Sequence, residues 1–171
     1  MGIMMRGFTI VEMILALVLA GLLIAGGISF YMMAQTAWKE GDTQIRLQRS
    51  ANNAMEAMTR GAGSSLDVWG RAGLREATSW SIPSTTPANS QIIFMDGIDG
   101  TTRSFYLQGS DLIYDPDTKA SGNEIVMTEN VTTLQFQNSS SSRIAIALTL
   151  AEDVASRTMS VSLNTEVLLR N

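Results

Sequence analysis

Residues Arg6 to Glu12 read RGFTIVE, and no further charged residue occurs until Lys39. The uncharged stretch Met13–Trp38 is 26 residues long, against the about 20 that a helix needs to cross a bilayer. A helix that is apolar on every side must lie in lipid or inside a large core. At 171 residues, one soluble domain beside such a segment is the natural count. Glu12 stands at the head of the run. An ionised carboxylate in a membrane segment is costly and marks a functional site by default. Such a residue needs a partner, and no nearby residue offers a fixed one, which predicts a partner on another chain.

The run is not an ordinary secretory signal. Those have a basic start, a 7–15-residue apolar core and a small-residue cleavage site after it. Here the apolar segment is too long, and the small residue that follows the basic start, Gly7, precedes it. Arg6 lies on the N-terminal side, and positive charge prefers the cytoplasm. The expected arrangement is a single-pass protein of the cytoplasmic (inner) membrane, N-terminus inside and the remaining domain outside.

Composition narrows the chemistry. The chain has no Cys and no His. Disulfides and thiol chemistry are therefore excluded. Ser-His-Asp triads and the usual Cys/His zinc sites are excluded as well. No paired acids sit in a recognisable catalytic setting, so an enzyme is not expected. The formal net charge is −4, and residues 91–171 hold 5 basic against 10 acidic side chains. That balance argues against a nucleic-acid surface.

The chain divides into a segment 8–38, an amphipathic helix 39–60, a loop region 61–90 and a strand-rich region 91–171. Residues 8–60 read as one long helix, about 80 Å if continuous. Gly21, Gly26 and Gly27 interrupt it, either as a flexible joint or as places of close helix packing. Tyr31 and Trp38 suit the membrane interface. Leu47, Ala51, Ala54, Met55 and Met58 recur at helical spacing, a stripe that a sheet must cover. The many Gly, Pro, Ser and Thr of residues 61–90 predict loop, with a short helix around Leu74–Ala77 and with Trp69 and Trp80 as anchors. Beyond residue 90, QIIFM, RSFYLQ, DLIYD, EIVMT, VTTLQFQ, RIAIALTLA and TMSVSLNTEVLL are strand-like. Asp96-Gly97, Asp99-Gly100 and Gly109-Ser110 mark hairpin turns, and Asn138–Ser142 reads as a polar loop. A long helix followed by strands means an α+β fold, with helix 39–60 laid on one face of an antiparallel sheet.

The turn region is rich in carboxylates. Asp96, Asp99, Asp115 and Asp117 are candidate calcium ligands, since calcium takes six to eight oxygens. The EF-hand pattern fails, with Lys119 and Ala120 where an acid or Asn and then Gly belong. Solvated turn aspartates are the reading favoured over a metal site, and no cofactor is expected.

The N-terminal 26 residues, MGIMMRGFTIVEMILALVLAGLLIAG, resemble type IV prepilins and type II secretion pseudopilins. The resemblance implies a leader peptide, residues 1–7, removed after Gly7 by a membrane prepilin peptidase that also N-methylates Phe8. It implies that Glu12 pairs with the Phe8 ammonium of a neighbouring subunit in a filament. It also implies a pilin-like globular domain at 39–171. The proline usual further along the helix is replaced by Ser29, which is more like pseudopilins. The sequence of VTTLQFQ, a polar loop, RIAIALTLA and SVSLNTEVLLRN, together with Leu47–Arg49, resembles J-type minor pseudopilins and the similar W-type minor pilins. Some pseudopilins hold calcium in a β-region loop. The expected partners are other pilins or pseudopilins, the peptidase, the inner-membrane assembly platform and, before assembly, membrane lipid. The alternatives are a major pilin for adhesion or motility, or a pilin that binds DNA or another ligand.

Overall fold

The computed structural model describes residues 9–61, 73–85, 87–155 and 157–169. One helix, α1 (Ile10–Arg60), precedes eight strands: β1 (Ala77–Ser81), β2 (Gln91–Asp96), β3 (Thr102–Gln108), β4 (Asp111–Asp115), β5 (Ile125–Thr128), β6 (Val131–Ser140), β7 (Arg143–Val154) and β8 (Arg157–Leu168). The fold is α+β, as the order of elements predicts. The chain forms two compact units, residues 1–41 and 42–171.

The described part of the first unit is helix. It begins at Thr9, whose carbonyl accepts the first helical bond from the Met13 amide at 3.1 Å. The 51-residue α1 to which it belongs is long and apolar enough to cross a membrane. Leu17, Leu23 and Trp38 are 72%, 77% and 82% exposed, so none of the described residues covers this surface.

The second unit contains the last five turns of α1. Thr43, Leu47, Ala51, Ala54, Met55 and Met58 are its buried residues, at spacings that keep them on one face. They join one core with Ile92, Phe94, Phe105 and Tyr114 from β2 to β4 and Leu134, Phe136, Ile146 and Leu148 from β6 and β7. The helix ends at Gly61, which takes a φ of +81°, a conformation that glycine adopts without a steric cost. Gly73 packs directly against this end: a Cβ there would lie 2.2 Å from the Gly61 nitrogen.

Two sheets cover the helix stripe where one was expected. Strands β1 to β5 form a five-stranded antiparallel meander, and β6 to β8 a separate three-stranded one. Within the first sheet the rings of Phe94, Phe105 and Tyr114 pack in sequence, with centroids 5.4 and 5.0 Å apart. The Trp80 indole N–H donates to the Asn138 Oδ1 at 3.0 Å, which ties β1 to β6. Trp69, the other anchor expected, lies outside the described residues.

Two boundaries differ from the sequence reading. Residues 77–81 form strand β1 inside the expected loop, because a hydroxyl-rich segment can pair with β2 while burying only Ala77 fully. The expected loop at Asn138–Ser142 shrinks to Ser141-Ser142, since β6 runs on to Ser140. Its serines face solvent, so polarity there marks an exposed strand face and not a break in pairing. The turn at Gly109-Ser110 forms as predicted, with Gly109 at a φ of +64°. The short helix expected at Leu74–Ala77 is a single 3-10 turn, Leu74–Glu76.

Candidate functional site: the head of the apolar helix

Gly7 and Phe8 lie outside the described residues. Glu12 is the third residue of α1, and Thr9 immediately precedes the helix. The Thr9 amide donates to the Glu12 Oε2 at 3.0 Å, and the Thr9 hydroxyl donates to the same oxygen at 3.1 Å. In return the Glu12 amide donates to the Thr9 Oγ1 at 3.2 Å. This reciprocal pattern is a capping box. It meets two of the amide donors that a helix N-terminus leaves unpaired, and it puts negative charge where the helix dipole favours it. The expectation that no nearby group holds Glu12 is therefore corrected. Thr9-x-x-Glu12 is a legible T-x-x-E signature, in which amide and hydroxyl donors stand in for a counter-charge.

Gly21, Gly26 and Gly27 do not interrupt the helix, which is continuous from Ile10 to Arg60. A Cβ at any of the three would meet no atom within 4 Å. Among the described residues of one copy, no neighbouring element comes close enough to any of the three to pack against it. Ser29 hydrogen-bonds back to the Ala25 carbonyl at 3.0 Å, which satisfies its hydroxyl inside the apolar run.

The aspartates considered as cation ligands have other work. Asp96 and Asp99 bracket the β2–β3 turn, and both bind Arg103. The guanidinium lies 3.2 Å from the Asp96 Oδ2 and also contacts the Asp99 carboxylate. It donates further to the Tyr114 hydroxyl at 3.1 Å and to the Pro116 carbonyl at 3.3 Å. The Arg103 and Asp96 side chains are only 11% and 3% exposed. Asp96 also accepts the Ile98 amide at 2.9 Å, and Asp99 accepts the Thr101 amide at 2.8 Å. That amide bond, more than the neighbouring guanidinium, holds the Asp99 carboxyl below its usual range.

Asp115 and Asp117 cap the turn after β4 by accepting the Asp117 and Lys119 amides at 3.1 and 3.0 Å. Burial pushes the Asp115 carboxyl up, and the nearby Glu124 and Asp117 add to the shift. Burial, with Glu124 beside it, pushes the Tyr106 phenol up to about 12. Among the described residues no three acidic side chains come together as a cation site.

The residue that sequence reasoning missed in this region is Arg103. In RSFYLQ it reads as an ordinary strand-end charge. Its burial follows from the register that sets Phe94 beside it and from the β2–β3 turn, which folds two aspartates onto it. Comparison of the chain with protein-family models, curated proteins and solved structures finds no match in any of the three.

Proposed function

We propose that this chain is a subunit of a type IV filament machine, a minor pseudopilin or pilin held in the inner membrane by α1 and then drawn into a filament. The observation that carries the reading is the junction RGFTIVE, whose last three residues open a helix long and apolar enough to cross a membrane. In this reading the peptidase removes residues 1–7 at the cytoplasmic face and methylates Phe8. The apolar helix then exchanges lipid for the helices of neighbouring subunits, and the assembly platform drives that exchange. The domain outside the membrane faces outward and meets other pilins. Glu12 has two roles in sequence. In the single chain the capping box keeps its carboxylate satisfied. In the filament it neutralises a neighbour's Phe8 ammonium, and an ion pair in a dry core is stable only with both partners present.

Mass spectrometry of the membrane fraction tests the first step. The expected mature chain begins at N-methylated Phe8, and Gly7→Val leaves the full leader in place. A native N-terminus at Met1, or after the apolar run, overturns the reading. The second step is tested by Glu12→Ala. This variant should insert normally and enter filaments poorly in a crosslinking assay; wild-type incorporation refutes the intersubunit pair.

A further inference from the structure

Strand β8 carries an edge unlike the others described. A sheet edge presents unpaired N–H and C=O groups, and proteins blunt it with short strands, bulges, charges, proline or a cover. Each of the other described edges has such a device. Strand β1 has five residues and a bulge, and β5 has four residues and a bulge. Strand β6 carries two register shifts, and its outer edge is met by the Asn89 carbonyl, which accepts the Phe136 amide at 2.9 Å. Strand β8 instead pairs with β7 through 12 consecutive residues without a shift.

Which β8 groups point outward follows from one bond. The Leu169 amide donates to the Ser142 carbonyl at 3.0 Å, so in this register the odd-numbered residues of β8 bond β7. The even-numbered residues Thr158, Ser160, Ser162 and Asn164 therefore aim their backbone groups away from the sheet. Among the described residues no backbone hydrogen bond reaches that stretch. Further along, Thr165–Leu168 line a cleft with Thr59, Arg60 and Arg75, so the open part is 158–164.

We propose that this stretch pairs antiparallel with β8 of a second copy of the chain, about a two-fold axis at Val161. The occupant is argued from self-complementarity. No residue from Thr158 to Thr165 is charged, so a copy meets no like charge there. With the axis at Val161, Ser160 faces the partner's Ser162 and Thr158 faces the partner's Asn164, which matches hydroxyls and an amide on the exposed face. On the other face Met159 meets the partner's Leu163, and Val161 meets its own copy. Val161 is buried, and Met159 and Leu163 pack against the core, so the apolar row continues across the axis. An isologous contact of this kind closes after two copies. About eight backbone hydrogen bonds form, two at each of the four pairs that bond. The inference goes beyond the filament reading and does not rest on it: a chain never cleaved at Gly7 still carries this edge.

The absence of native cysteine makes disulfide trapping clean. In full-length chain in detergent, Ser160→Cys with Ser162→Cys should give covalent dimers on mild oxidation. Gln135→Cys with Gln137→Cys, equally exposed on β6, is the control and should not. Without cysteines, Ser162→Pro should shift the light-scattering mass from dimer to monomer. The Ser162 amide faces outward, so proline there removes no β7 bond. Ser160→Lys with Ser162→Lys should have the same effect by gathering four ammonium groups at the axis, and it serves if the proline variant unfolds. Trapping no greater than the control, or a dimer that survives both edge variants in folded protein, overturns the proposal. So does trapping only to other membrane proteins.

Discussion

Residues 10–41 and 42–60 belong to one unbroken helix, yet they obey opposite rules. In the first stretch nearly every apolar side chain is exposed, and Leu17 and Leu23 keep more than two thirds of their surface. In the second the apolar residues are fewer, but Leu47 and Met58 are 2% and 0% exposed. Apolar content alone does not bury a residue; periodicity and an opposing surface do. The first stretch is apolar all round and needs an environment that the described residues do not supply. The second is amphipathic and finds its environment in two sheets of the same chain.

Charge breaks the comparison most sharply. Glu12 is satisfied by Thr9, three residues away at the cap of its own helix. Arg103 is satisfied by Asp96, Asp99, Tyr114 and Pro116, gathered by the sheet. Arg103→Ala should therefore destabilise residues 42–171 by about 3–5 kcal/mol, the usual cost of leaving one partner of a buried pair alone. Glu12→Ala should leave their denaturant midpoint unchanged. Urea unfolding in detergent measures both, and equal effects would mean that the two halves are not independent.

Truncation in the two halves sharpens the contrast. Met58→Ala should cost about 2–5 kcal/mol because it opens a cavity in a closed core. Leu19→Ala, at a position 53% exposed, should stay within about 0.5 kcal/mol for the same transition. Glycines extend the series. Gly73→Ala forces a Cβ to within 2.2 Å of the Gly61 backbone and should cost about 1–3 kcal/mol. Gly26→Ala meets open space and should raise helix stability by up to about 1 kcal/mol, visible by circular dichroism.

The smallest expected effect is that of Asp115→Asn. The folded pKa of Asp115 lies above its unfolded value of 3.8. The folded state then binds the proton more tightly, and stability falls as pH rises from 3.8 through the raised folded pKa. Asparagine keeps an Oδ1 to accept the Asp117 amide. The variant should melt slightly higher than wild type at pH 7, and the gap should narrow on acidification. A lower melting temperature at pH 7 would show that the turn needs the charge.

The parts of the fold written in local spacing were legible before the structure. The Leu47–Met58 stripe, the α+β order, the Gly109 turn and the membrane-length run follow from periodicity, composition and turn chemistry, which act within a few residues. The capping box was equally local in Thr9 and Glu12. A carboxylate in an apolar run suggests a counter-charge, although amide and hydroxyl donors suffice.

What only tertiary structure decided depends on residues far apart in the chain. Strand β1 exists because β2 offers it an edge; ATSWS by itself has too little apolar surface to fix a strand. The division into two sheets turns on which strands pair, a choice that alternation within a strand does not specify. Arg103 is buried because the β2–β3 turn folds two carboxylates onto it. Among the described residues the edge of β8 at 158–164 is open because β7 takes only one side of that strand. Sequence pattern determined which residues seek cover, and the long-range pairings decided which of them find it within one chain.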